Sequence, residues 1–248
     1  MSIKHWIVLV IDLAVCLLLA IASSAGVRYG YGWLTGTHDA DPTLPTLGIW
    51  SVVSVLLLQN ALILGYVRSR GGLHPLQGSG TPVATGSIGN TLLYSVLAVP
   101  LVLVTNLLVG VAFVLFGMKH NQAAQFPLTH GDTLGQVSFF LVAAVFVPVV
   151  EEILFRGFVY AKVSQGASPT IAILVSAVVF AAAHSWSASV GSLVLVVQTG
   201  ALGICLGWVR YRSQSIFPSM IAHGCNNAIA LLLVLSCVNH PDLGCAQT

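Results

Sequence analysis

The chain has 248 residues, 56% of them hydrophobic and only 6% charged, with a formal net charge of +2. A water-soluble domain carries about 25% charged residues, so this composition excludes a chain that covers its own surface with charge. The small net charge implies no nucleic-acid partner, and the length suits one bundle of helices better than two domains.

A membrane-spanning helix needs about 20 mostly apolar residues. In chain order, seven runs meet or approach this: 6–25, 48–67, 90–116, 134–160, 170–184, 190–209 and 219–238. The first follows Lys4 and ends in small residues, as a signal peptide does. Asp12 lies inside it and more spans follow, which favours a retained helix and leaves the signal-peptide reading open. The break at 68–89 is rich in Gly, Pro and Ser and reads as a flexible loop. The fourth run is long and contains charges; the fifth is short. No internal repeat is visible, and unbroken apolar runs do not alternate as barrel strands do. The expected fold is therefore all-α, a polytopic transmembrane helical bundle of about seven (six to eight) helices. Residues 1–133 supply helices and loops without a motif, and residues 134–248 hold the chemistry.

Lys and Arg set the orientation. Seven alternating helices put Lys4, Arg68, Arg70, Arg156, Lys162, Arg210 and Arg212 on or toward one side, and Arg28 and Lys119 on the other; seven and two make up the nine basic residues. That predicts a cytoplasmic N-terminus and an external C-terminus, in a plasma or inner membrane. Cys16, Cys205 and Cys225 lie in apolar runs and read as small core residues. Cys237 and Cys245 flank a polar stretch and can pair if that end meets an oxidising compartment, although spacing alone does not show pairing.

A charge inside an apolar helix costs about 2.5–3.5 kcal/mol on insertion scales, which makes it a functional candidate. The fourth run contains Glu151, Glu152 and Arg156. Glu152 and Arg156 are four apart, with Glu on the N-terminal side, the favoured order for a helical ion pair. Glu151 points about 100° away around the helix and has no partner on its own helix. A carboxylate so placed, away from bulk water, suits a general base. Read alone, these charges serve equally well as glue between helices.

His184 ends Phe180-Ala181-Ala182-Ala183-His184, with Phe180 one turn before it on the same face. Glu151 lies 14 residues before Gln165 and His184 lies 15 after Pro169, across a turn of Gln165-Gly166-Ala167-Ser168-Pro169. At about 1.5 Å per residue these are ~21 and ~22 Å, so the two reach nearly equal depth on adjacent antiparallel helices. In the last run, His223 and Asn227 are four apart and share a face. Two donors aimed at one point can stabilise an oxyanion, and the same residues can serve as polar glue between helices. Gly224 permits close backbone approach under either reading. His223 is only about 8 Å from Pro218, so its level matches that of Glu151 only if the hairpin protrudes or the last helix starts below the membrane surface.

Taken together, Glu151-Glu152-x-x-x-Arg156, Phe180-x-x-x-His184 and His223-x-x-x-Asn227 resemble the CAAX protease and bacteriocin-processing family, also called the CPBP or Abi family. The resemblance covers about residues 148–231. It implies an intramembrane endopeptidase in which Glu151 activates a water with the help of His184, His223 and Asn227 bind the oxyanion, and Glu152 and Arg156 form a structural pair, with Phe180 supporting. It implies a membrane-held or lipidated peptide as substrate and the lipid bilayer as surroundings. No cofactor is expected; zinc, if it were used, would be held by His184, His223 and Glu151. Two other readings share these residues: a non-catalytic membrane immunity or peptide-binding protein of the same family, and a small transporter with Glu151 and His184 as a proton relay. No His-Glu-x-x-His motif and no Gly-x-Ser-x-Gly elbow is present.

Overall fold

The computed structural model describes residues 3–35, 48–70, 87–118, 128, 131–184 and 190–240. Among them are seven helices and no strand: α1 (Ile3–Thr35), α2 (Ile49–Ser69), α3 (Ile88–Leu115), α4 (Thr133–Ser164), α5 (Pro169–Ala183), α6 (Val190–Ser213) and α7 (Phe217–Asn239). Six of these are long and apolar enough to cross a membrane; α5, at 15 residues, is the shorter one. The all-α multi-pass fold expected from the apolar runs is the one observed, with helix ends within a few residues of the runs, apart from α1, which continues about ten residues further.

Local chemistry sets the helix ends. Ser87 accepts from the Asn90 amide at the start of α3, and Asp132 accepts from Gly135 N at 2.9 Å at the start of α4, each satisfying a donor that the first turn leaves open. Ser168 caps α5 ahead of Pro169, and Pro218 sits in the first turn of α7, where a missing N–H costs nothing. Leu92, Val96, Leu107, Leu108, Val111 and other large apolar side chains of α3 face outward. Water would not tolerate that face; lipid chains do.

Lipid is as apolar as leucine, so the bundle is held by close packing and polar contacts rather than by exclusion of water. Helices α5 and α6 pack closely through small residues. A Cβ on Gly203 would lie 3.0 Å from Ala177 Cα, and one on Gly207 would lie 3.1 Å from Ile173. Around this seam Val159, Phe180, Leu202, Leu206 and Val209 form one buried cluster with Val150, Leu154 and Phe158 of α4.

α1 is tied to the rest through Asp12, whose side chain is 1% exposed. Its carboxylate accepts from Tyr66 Oη at 2.7 Å and Arg70 Nε at 2.8 Å, both at the end of α2, and from Lys162 Nζ of α4. The contact with Asp12 holds the Arg70 guanidinium above its ordinary range. Three donors on one carboxylate pack the first run against α2 and α4. Asp12→Leu is expected to lower the thermal unfolding midpoint of the detergent-solubilised protein by several degrees, through two cations left unpaired; a midpoint unchanged within a degree would contradict this role.

Cys16, Cys205 and Cys225 are free thiols; Cys16 is buried, as a small core residue should be, whereas Cys205 and Cys225 are only partly buried. Cys237 is disulfide-bonded. Cys245, its expected partner, lies outside the described residues.

Candidate active site

The site is built on an irregular stretch of α4. Residues Val142–Phe146 and Ile153–Val159 are wound as π-helix, with the ordinary turns Val147–Glu152 between them. Each π segment spends an extra residue per turn and re-aims the side chains that follow it. Pro148, which has no N–H to give, sits at the junction. Glu151 and Glu152 lie on the turns between the two segments.

Glu152 and Arg156 form the ion pair that their spacing predicts. Arg156 Nη1 donates to Glu152 Oε1 at 2.8 Å, and both side chains are completely buried. Arg156 Nη2 also donates to the Gly203 carbonyl of α6 at 3.2 Å. The guanidinium lies 4.7 Å from the Phe180 ring centroid, a cation–π contact. Arg156 is thus an interior group of the site, and it drops out of the set of basic residues that mark one membrane face.

Glu151 faces both imidazoles. Its Oε1 is 3.8 Å from His184 Nε2 and its Oε2 is 3.6 Å from His223 Nε2. The carboxylate of Glu151 is one-fifth exposed and that of Glu152 is not exposed at all, so only the first has access to solvent or substrate. The depths therefore agree: a histidine of α7 and one at the end of α5 reach the same carboxylate on α4. His184 is the residue that closes α5 rather than a member of it, since the helix stops at Ala183.

Hydrogen bonds fix the two imidazole rings. His184 Nδ1 lies 2.8 Å from the Phe180 carbonyl. A carbonyl only accepts, so Nδ1 carries the hydrogen, and in the neutral ring Nε2 presents a lone pair toward Glu151. His223 Nδ1 lies 3.0 Å from Glu152 Oε1 and by the same reasoning donates to it. Phe180 is fully buried beneath both rings, with centroids 4.6 Å from His184 and 5.6 Å from His223. It is the platform between the ion pair and the two histidines.

Asn227 stands one turn beyond His223 on α7. Its Nδ2 donates to the Ala143 carbonyl at 3.1 Å, and its Oδ1 accepts from Asn226 Nδ2 at 3.4 Å. The structure thus brings Glu151, His184 and His223 together, with Glu152, Arg156 and Phe180 behind them, and holds Asn227 beside them by a backbone carbonyl. Gly224 lies between His223 and Asn227 against α4: a Cβ there would fall 2.9 Å from the Ala144 carbonyl oxygen. Gly224→Ala is expected to push α7 from α4 by a few tenths of an ångström and to cost tenfold or more in kcat, since misplacements of this order are felt strongly by reacting groups. An unchanged kcat for a reconstituted Gly224→Ala protein would show that this approach is not needed.

Among the described residues, no group of three or more His, Cys, Asp and Glu side chains is disposed to hold a metal ion. Sequence reasoning missed three features: the anchoring of α1 by Asp12, the π segments, and the amides of Asn106 and Asn226. Asp12 inside an apolar run and Pro148 inside a helical one were the available signals for the first two.

Residues 133–229 match the family model for Rce1-like proteins, described as type II CAAX prenyl endopeptidase Rce1-like. This segment is an Rce1-like domain of the CAAX protease family. It begins with α4 and ends within α7, so the Rce1-like segment contains Glu151, Glu152, Arg156, Phe180, His184, His223 and Asn227. No curated protein and no solved structure matches the chain.

Proposed function

We propose that the protein is an intramembrane endopeptidase in which Glu151 and His184 activate a water to attack a peptide bond. The supporting observation is the 3.8 Å separation of Glu151 Oε1 from His184 Nε2, too long for a direct hydrogen bond and short enough for one water to touch both. With Nδ1 committed to the Phe180 carbonyl, both facing atoms accept hydrogen bonds. A water between them gives its protons to two acceptors and turns its oxygen lone pairs outward. As that oxygen bonds to the substrate carbonyl carbon, Glu151 takes one of the protons, and the carbonyl oxygen becomes an oxyanion. Collapse of the tetrahedral intermediate breaks the C–N bond, and the proton passes from Glu151 to the departing amine.

The oxyanion falls to His223 and Asn227. His223 Nδ1 already donates to Glu152, so His223 has an N–H at Nε2 to offer only as imidazolium. Charged in that way, His223 brings its set with Glu151, Glu152 and Arg156 to a net charge of zero. The substrate of this reading is a membrane-held or lipidated peptide, and no step is routed through a metal. Lys4, Arg68, Arg70, Lys162, Arg210 and Arg212 set the N-terminus on the cytoplasmic side, of a plasma or inner membrane.

The test compares membrane peptidomes of cells carrying the wild type and Glu151→Gln. Peptide ends that appear with the wild type and vanish with the variant support hydrolysis. Identical peptidomes, with both proteins present at equal levels, would count against it.

A further inference from the structure

Asn106 lies on α3, outside the Rce1-like segment, yet a continuous line of amides joins it to the site. Asn106 Nδ2 donates to Asn226 Oδ1. Asn226 Nδ2 donates to Asn227 Oδ1 at 3.4 Å, and Asn227 Nδ2 donates to the Ala143 carbonyl at 3.1 Å. Asn106 donates through its nitrogen, and Asn226 and Asn227 each accept through oxygen and donate through nitrogen, so the line runs in one direction from α3 through α7 to α4.

The far end has a backbone cause. In the π segment Val142–Phe146 a carbonyl is paired with the N–H five residues on: Val147 N donates to Val142 O. The next pair in that register would be residue 148 with Ala143. Residue 148 is proline and has no hydrogen to give. A carbonyl left open within a bundle is costly, and Asn227 supplies the missing donor.

We infer that Asn106 and Asn226 are positioning residues that set the amide of Asn227 for catalysis. The inference rests on the oxyanion role given to Asn227 above. Asn227 Nδ2 carries two N–H groups. One is committed to Ala143, and Oδ1 is committed to Asn226. Both ends fix the same flip of the amide, so that its second N–H, and not its oxygen, is what Asn227 can present to a developing negative charge. In a low-dielectric bundle such a line is held strongly when complete. Loss of Asn106 removes the donor that orients Asn226, and Asn226 in turn loses its reason to donate toward Asn227.

The test uses the full chain in lipid nanodiscs, with an internally quenched farnesylated peptide ending in a Cys-aliphatic-aliphatic-X sequence as probe, and with asparagine labelled with nitrogen-15. Asn106→Leu is expected to lower kcat about tenfold with KM within twofold, a smaller loss than the about 10²–10³ typical of deleting an oxyanion donor outright. It is expected to shift the Asn227 side-chain amide resonances. Asn106→Gln, which keeps the donor, is expected to restore most of kcat; Asn106→Ser replaces the leucine variant if that one does not fold. An unchanged kcat, an unmoved Asn227 amide, or a loss of kcat that tracks loss of stability and is not rescued by Gln overturns the inference. Glu151→Gln serves as the separate control. If the wild type fails to cleave the probe, or Glu151→Gln cleaves it equally well, the hydrolytic reading fails; the amide spectrum then decides whether α3 sets Asn227.

Discussion

Glu151→Gln is expected to lower kcat by about 10³-fold or more while leaving the protein folded. The amide is nearly isosteric with the carboxylate, so packing on α4 is kept. It cannot take a proton from water, and general-base catalysis contributes about 10²–10⁴-fold. The effect on stability is expected to be small or even favourable, because the side chain makes no direct hydrogen bond shorter than the 3.6 and 3.8 Å approaches to the two histidines. Single-turnover cleavage of a quenched membrane peptide and a thermal melt on the same preparation check both halves. A variant that cleaves at the wild-type rate would remove Glu151 from the chemistry. One that loses activity and melts far below the wild type would make it a structural residue.

Arg156→Met is expected to have the opposite signature, a large loss of stability. Removing one member of a completely buried ion pair leaves the other uncompensated, which costs about 3–5 kcal/mol. Arg156 also donates to Gly203 O and covers Phe180, so its loss loosens α4 from both α5 and α6. For a chain of this size the midpoint should fall by roughly 10 °C. The double variant Glu152→Gln with Arg156→Met removes both charges and is expected to recover part of the loss, as paired removal does elsewhere. A single Arg156→Met variant melting within a degree or two of wild type would mean that the pair contributes nothing.

Much of this arrangement was legible in the sequence, for physical reasons. Long apolar runs have one solution in lipid, a helix with its backbone bonds satisfied internally, so the seven helices could be read directly. The Glu152–Arg156 pair followed from helical spacing alone. The equal depth of Glu151 and His184 followed from counting residues on either side of a turn. What escaped was whatever depends on backbone irregularity or on distant partners. A regular 3.6-residue turn does not reveal that residues 142–146 and 153–159 are underwound into π-helix. Residue types and spacing leave His223 and Asn227 as either oxyanion donors or polar glue between helices; in the structure His223 Nδ1 is spent on Glu152 and one Asn227 hydrogen on Ala143. Neither partner follows from residue types, because both depend on how α7 is rolled against α4.

The Asp12 contacts carry a consequence for how the chain is made. Tyr66 and Arg70 lie 54 and 58 positions after Asp12, but Lys162 lies 150 positions after it. At about 5–20 residues per second of synthesis, the ribosome delivers the first two partners seconds before the third. The newborn α1–α2 hairpin can therefore neutralise its buried acid unaided and wait in the bilayer as a finished piece. The arrival of Lys162 then latches α4, already carrying Glu151, onto a platform assembled earlier.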